Sequence, residues 1–315
     1  MNRRLASLCG ALILISLATF ATPASACSIC RCGDSTFNAL GSAIYTPGRF
    51  RLTVDWDRFD KENGVSEIGL AEITGHDAEV ENRFTLGVAY SFSERLTLVG
   101  RLPFSMRHLT ETEEGEEVET KTNGLSDPEF TALSRVWASP FRPGMGQQAW
   151  ISLVAGVKTP WGRNDLADNG ARLDEHAQSG TGATDFYGGL SAVVQVDMQS
   201  SIFASFQYRQ TGTNDHDYRY GRTTSANLAY ERKLGGAVDA VIEANWRHAE
   251  MDRIDADGNR DPNTGGDLVY LTPRVVVDLG GGLIARVGVQ IPVVKSLYGD
   301  QTERANVNLG LTMLF

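Results

Sequence analysis

Three cysteines stand within six residues, in Cys27-Ser28-Ile29-Cys30-Arg31-Cys32, and they carry the most versatile chemistry in this chain. Thiolates at C-x-x-C-x-C spacing converge readily on one soft ion, copper(I) or zinc, or on an iron–sulfur cluster. Zinc usually takes four ligands, so Asp34 or a water would have to complete a three-cysteine set. In an oxidising compartment two of the thiols can instead close a disulfide and leave one over. A third reading is lipidation of Cys27, because Ala24-Ser25-Ala26-Cys27 is a degraded lipobox. No histidine follows Cys30, so c-type haem attachment is excluded. The cofactor expectation is a copper or zinc ion at Cys27, Cys30 and Cys32, with a disulfide or structural cap as its equal.

The five histidines, His76, His108, His176, His216 and His248, form a second set, interleaved with polar stretches. Glu111, Glu113, Glu114, Glu116, Glu117 and Glu119 add an acidic run. Imidazoles and carboxylates together bind divalent cations, but an acidic run is more often a solvated face. No G-x-S-x-G or comparable nucleophile signature occurs, and the chain reads as a non-enzyme.

A third set of charges falls on the register opposite the apolar side of alternating segments. Arg51, Asp55 and Arg83 belong to it, followed by Arg101, Glu129, Arg135 and Arg209, and then by Glu243, Arg247, Arg274 and Arg286. The signs are mixed, with no single-sign ladder. Such residues either cross-pair and fill a narrow lumen, or line a polar pore whose charge rings set ion preference.

The elements that would position them are strands. The last eleven residues alternate, with Val307, Leu309, Leu311, Met313 and Phe315 on one side and Asn306, Asn308, Gly310 and Thr312 on the other. Eleven earlier segments share this period of two. They run over residues 50–56, 84–92, 96–106, 130–136, 151–157 and 186–196, then 202–208, 226–230, 238–246, 269–277 and 283–291. About ten residues is the length of a tilted strand crossing a bilayer. Short turns near residues 93–95, 197–200, 235–237 and 280–282, with a medium Pro/Gly-rich turn around 138–147, alternate with long polar segments. The long segments lie at 60–79, 109–124, 158–182, 211–222, 252–267 and 296–303. Lipid-facing alternation with short turns at one end and long loops at the other is the pattern of outer-membrane barrels. The predicted fold is all-β, a transmembrane up-and-down antiparallel β-barrel of about 12 strands, with residues 48–315 as the barrel.

Residues 1–26 read as a secretory signal, with Arg3 and Arg4 ahead of the apolar run 11–20 and a small-residue cleavage site. Residues 27–47 then form a cysteine-bearing segment on the periplasmic side, together with the C-terminus. Removing the signal leaves 27 basic against 39 acidic residues, a net charge of −12. That balance excludes nucleic acid, which needs a basic footprint.

Several short pieces resemble one large family of outer-membrane barrels, assigned to transport and to phenol-degradation pathways. They include Gly124-Leu125-Ser126-Asp127-Pro128, Gly156-Val157-Lys158-Thr159-Pro160 and Gly180-Thr181-Gly182. Further along come Asn263-Thr264-Gly265-Gly266, Tyr270-Leu271-Thr272-Pro273, Val289-Gln290-Ile291-Pro292 and Gly299-Asp300-Gln301. Their order covers roughly residues 48–315. The resemblance implies a barrel passing small, often hydrophobic, compounds, and it implies no catalytic residues.

The function expected is therefore an outer-membrane transport protein or channel for small solutes, either metal ions or small organic compounds. The alternative is a barrel-anchored metal-binding or redox protein that presents its cysteines to a periplasmic partner.

Overall fold

Strict alternation requires an apolar medium on one face of each strand and a different environment on the other. The computed structural model, which describes residues 48–63, 77–113, 116–140, 148–168, 170–299 and 301–315, meets that requirement by closing the sheet on itself. The strands are β1 (Phe50–Asn63), β2 (Asp77–Ser91), β3 (Leu96–Glu113), β4 (Glu116–Leu125), β5 (Glu129–Ala138) and β6 (Ala149–Lys158). A two-residue hairpin follows, β7 (Ala167–Asp168) with β8 (Ala171–Arg172). Then come β9 (Asp185–Gln195), β10 (Ser200–Gln210), β11 (Thr223–Gly235), β12 (Val238–Ala249) and β13 (Gly266–Gly280). The chain finishes with β14 (Leu283–Leu297), β15 (Gln301–Glu303) and β16 (Asn306–Leu314).

All pairings are antiparallel, and β1 closes the barrel by pairing with β2 on one side and with β15 and β16 on the other. Because β4 and β5 both lie along β3, they form one broken stave, so the wall has twelve staves. The closing register runs from Arg51↔Leu314 to Arg58↔Val307. Closure leaves no free sheet edge along the belt, which lipid requires because backbone groups find no water there; β4 and the β7–β8 hairpin keep open edges among the described residues. No helix among the described residues is long and apolar enough to cross a membrane.

The outer face is an apolar belt. Leu86, Leu153, Phe206, Leu228, Leu271 and Leu309, spread around the wall, are each 41–57 % exposed. Aromatic rings border the belt, with Phe50 on Phe315 at 5.9 Å and Tyr90 on Phe92 at 4.7 Å beside the short turns. Trp161 meets Phe130 at 6.0 Å towards the long loops. Such girdles mark the two interfaces of a membrane barrel.

Three expectations need correction. Residues 109–124 are not a loop: β3 and β4 continue as a paired hairpin, from Phe104↔Leu125 out to Glu113↔Glu116. Their Thr-rich, charged sequence supports a strand that is polar on both faces, so hydropathy gives no alternation to detect. Segment 60–79 is strand at both ends, since β1 reaches Asn63 and β2 begins at Asp77. The inward face is also not uniformly charged. Leu133, Val154, Phe203 and Val241 point inward with Ala89, Val99 and Ala229, forming a buried apolar filler.

Pro273 and Pro292 sit where the β13–β14 ladder is weakened. The β13–β14 register shifts between Val269 and Tyr270, beside the Tyr270↔Pro292 pair. It then passes from Leu271↔Ile291 to Arg274↔Gly288, over Pro273. Proline lacks the donor that a regular ladder would need at these points.

Candidate channel lumen and its inserted loop

The inward side chains divide the lumen into two parts. Towards β5–β12 the apolar filler occupies the interior near the short turns. Along β1, β2 and β3 the interior is polar, and a cavity of about 110 Å³ follows it from Arg51 at one end of β1 to Lys61 at the other. At ~10–15 Å³ per water, that space holds on the order of ten waters. It is a narrow cavity rather than a wide pore.

Arg51, Asp55, Arg83, Arg101, Glu129 and Arg274 all border this cavity. Glu81 accepts from Arg83 Nε at 2.9 Å and Nη2 at 3.0 Å, and from Ser105 Oγ at 2.7 Å. Two-point pairing of this kind fixes a guanidinium in both position and plane. Glu129 accepts from Arg209 Nη2 at 2.7 Å, while Arg101 approaches the same carboxylate at 3.9 Å. Glu243 holds Arg274 at 3.1 Å and Asn245 Nδ2 at 2.7 Å, entirely out of solvent. Arg286 reaches across β16 to Asp55. Gly310 makes that reach possible, because a Cβ there would meet both partners at 2.5 Å.

Two of the sequence-selected residues lie elsewhere. Arg135 stands at the short-turn rim and donates to the Glu94 carbonyl. Arg247 is half-buried near the long-loop end of β12, opposite Leu268. Lys61, Glu79, Glu81 and Lys158 are lumen charges that the sequence reading did not select. They lie where the strands outrun the apolar belt. Extending the inward register of β1, β2 and β6 by two to four residues would have found them.

Segment 159–184 folds into the long-loop end of the lumen instead of standing away from it. Its residues Glu175, His176, Ala177, Gln178, Ser179 and Thr181 are buried. Asp127, in the break between β4 and β5, anchors it. The Asp127 carboxylate accepts from Gly162 N at 2.9 Å, Thr181 N at 2.8 Å and Thr181 Oγ1 at 2.6 Å, and it pairs with Lys158 at 3.3 Å. Gly162 and Gly180 cross so closely that a Cβ on either would sit within 2.8 Å of the other's backbone. The three motifs around Asp127, Lys158 and Thr181, separate in sequence, thus form one latch.

The far side of the loop is held from the wall and from neighbouring loops. Arg107 donates to the carbonyls of His176 and Gln178, the latter at 2.7 Å. Thr122 Oγ1 donates to Ala177 O at 2.8 Å, and Tyr220 OH to Glu175 O at 2.8 Å. His176 packs edge-on against Tyr218 and Tyr220, with its Nε2 2.9 Å from Tyr218 OH. Tyr218 OH also donates to Asp252 Oδ2 at 2.6 Å. Burial raises the Asp252 carboxyl above its ordinary value of 3.8, a rise that nearby His176 opposes.

The other histidines do not gather into a rim. His108 meets Glu119 at 3.4 Å and His248 meets Asp267 at 3.2 Å, on different strands. His76 and the cysteines Cys27, Cys30 and Cys32 lie outside the described residues. Among the described residues, no three His, Cys, Asp or Glu side chains are placed to hold a metal ion.

Among solved structures, the chain is similar to an outer membrane channel from Pseudomonas putida F1, with a TM-score of 0.64 at 11 % identity. That match covers 86 % of this chain and 96 % of the other. It is also similar to the translocator domain of the autotransporter NalP from Neisseria meningitidis, with a TM-score of 0.50 at 10 % identity, covering 87 % and 91 %. No curated protein matches it. At these identities the likeness establishes the outer-membrane barrel fold. A family model matches residues 102–290, more than half the chain, and the protein belongs to the family described as "Putative MetA-pathway of phenol degradation".

Proposed function

We propose that this protein is an outer-membrane channel through which small organic solutes diffuse, with its short turns and both termini towards the periplasm. One observation carries the reading: the cavity beside β1 extends from Arg51 to Lys61. Ten residue steps span about 33 Å along a strand, or about 25 Å of height at a tilt near 40°, the height of a barrel's apolar band. The resemblance to a channel and membership of a family linked to phenol degradation support small organic compounds as cargo. Metal ions as cargo lack such support, because Glu81, Glu129 and Glu243 are committed to arginines.

The inserted loop sets the width of the passage, since it occupies the long-loop end of the same cavity through Gln178, Ser179 and Thr181. Swelling of liposomes containing the purified protein, with solutes of graded size, tests the proposal. Entry of small uncharged aromatics and exclusion of disaccharides is the expected result. No swelling with any solute by a correctly folded barrel rejects it.

A further inference from the structure

Before the start of β11 and past the end of β12, three arginines are laid side by side. Arg219 faces Arg253 across an antiparallel bridge, and Arg253 faces Arg260 across another. The first pair exchanges both backbone bonds, Arg219 N to Arg253 O and Arg253 N to Arg219 O, each at 2.8 Å. The second pair is flanked by its bonds, Ile254 N to Asn259 O at 3.0 Å and Asp261 N to Asp252 O at 3.1 Å. Opposed residues in such pairs put their side chains on one face, with Cα spacings of about 5.5 and 4.5 Å. Three guanidiniums therefore leave one face from backbone positions spread over about 10 Å.

That face is turned away from the lumen. Tyr218 and Tyr220, on either side of Arg219, point inward to the inserted loop and bond His176 Nε2 and Glu175 O. Asp252, beside Arg253, accepts from Tyr218 OH on the same inner side. Alternation in extended chain sends Arg219 and Arg253 the other way. Arg222, three residues from Arg219, pairs with Glu250 at 2.8 Å beside Tyr208, which stands 41 % exposed on the outer face of β10. The arginine row thus lies within about 10 Å, three strand steps, of the edge of the apolar belt.

Like charges set directly opposite one another destabilise a strand pair. Among the described residues, none of the three arginines has a carboxylate partner, and Arg219 Nε is out of solvent with no hydrogen bond. The nearby acids are engaged elsewhere: Glu250 with Arg222, Asp252 with Tyr218 and Gly221, Asp255 with Asn259, and Asp261 with Asn263. Asp215, Asp217 and Asp257 stand in exposed turns. Burial pushes the Arg219 guanidinium below its ordinary value, and Arg253, Arg222 and Arg260 push the same way while Glu250 opposes them.

We infer that Arg219, Arg253 and Arg260 bind a phosphate of the phosphorylated glycolipid in the outer leaflet. A phosphate accepts guanidinium forks from several directions and removes the repulsion within the row. Height favours a lipid over a free anion, because acyl chains below a phosphate held here would rest on the belt at Leu228 and Trp246, both exposed. The inference goes beyond the channel reading and takes from it only that the long loops face outward.

Purified full-length protein in detergent, mixed with diphosphoryl lipid A or with its dephosphorylated form, provides the test, with bound glycolipid counted by native mass spectrometry. The diphosphoryl form should bind at least tenfold more tightly, and Arg253→Gln should weaken it about tenfold, the effect of one charged hydrogen bond. Arg95→Gln, at the short-turn rim, should leave binding unchanged. Without glycolipid, the Arg253→Gln barrel should unfold at the same temperature as the wild type or a higher one, because a like-charge contact has gone. Weakened binding then cannot come from misfolding. Equal binding of the two lipid forms, or equal losses in Arg253→Gln and Arg95→Gln, overturns the site and leaves the channel reading standing. Displacement of the lipid by inorganic phosphate assigns the row to a free anion and also overturns it. Lipid binding without entry of any solute overturns the channel reading alone.

Discussion

Lys158 and Asp127 pair at 3.3 Å, with side chains only 2 % and 3 % exposed, at the point where the fourth stave breaks and the inserted loop begins. Lys158 also reaches Asp185 at 2.9 Å, so one ammonium joins the start and end of the segment that fills the mouth. Thr181 closes onto the same Asp127 carboxylate. Asp127 is thus the one carboxylate that joins Gly162, Thr181 and Lys158.

Removing that acid should free the loop. In Asp127→Ala, Thr181 and Gly162 lose their acceptor, while Lys158 keeps Asp185 but loses its pairing with Asp127. Leaving buried donors without their acceptor costs about 1–3 kcal/mol. Trypsin added to folded protein should cut after Arg163 or Arg172 at least tenfold faster than in the wild type. Equal protection in both would mean that the loop is held by Arg107, Thr122 and Tyr220 alone.

Glu243 and Arg274 test whether paired lumen charges are structural. Glu243→Ala should lower stability in urea by about 3–5 kcal/mol, because Arg274 remains buried. Replacing both residues with methionine should restore most of the loss. If the double variant is no better than the single one, the pair does more than satisfy itself.

Tyr187 rests on Gly156, where a Cβ would meet the ring at 2.2 Å. From that position its hydroxyl bonds Thr131 at 2.6 Å, and its ring lies 4.6 Å from the Arg209 guanidinium. Gly156→Ala should displace the ring and cost about 1–3 kcal/mol by overpacking. The loss should largely vanish in a Tyr187→Ser background, measured by the same urea titration.

Asp252 gives the loops a pH dependence whose sign follows from burial. Its carboxyl is raised in the folded protein, so its contribution to loop stability is full below 3.8 and is lost as pH rises through the raised value. Hydrogen exchange in residues 214–221 and 250–264 should therefore speed up as pH rises through that window, after correction for intrinsic exchange. Asp252→Asn should flatten the trend. An unchanged slope in that variant would assign the dependence to another group.

The barrel was legible because each strand is read by lipid on one face, which leaves Leu309 and Leu311 alternating with Asn308 and Gly310. Where lipid ends, the signal ends too. Lys61, Glu79 and Glu81 continue the inward register, but only Ala78 and Val80 among their neighbours are apolar, too little for hydropathy to mark a strand. The filler was hidden for the opposite reason: Val154 lies between Leu153 and Ala155, so an inward apolar residue reads as part of a run. The latch was visible only as scattered turn motifs. Nothing local to Asp127 reveals that its partners lie 35 and 54 positions further along the chain.

Single-channel recording in a planar bilayer tests the central claim most directly, comparing wild-type protein with Asp127→Ala under identical salt. A continuous lumen narrowed by the latched loop predicts small, discrete conductance steps in the wild type and clearly larger steps in the variant. Folded protein that inserts and conducts in neither form would contradict the account.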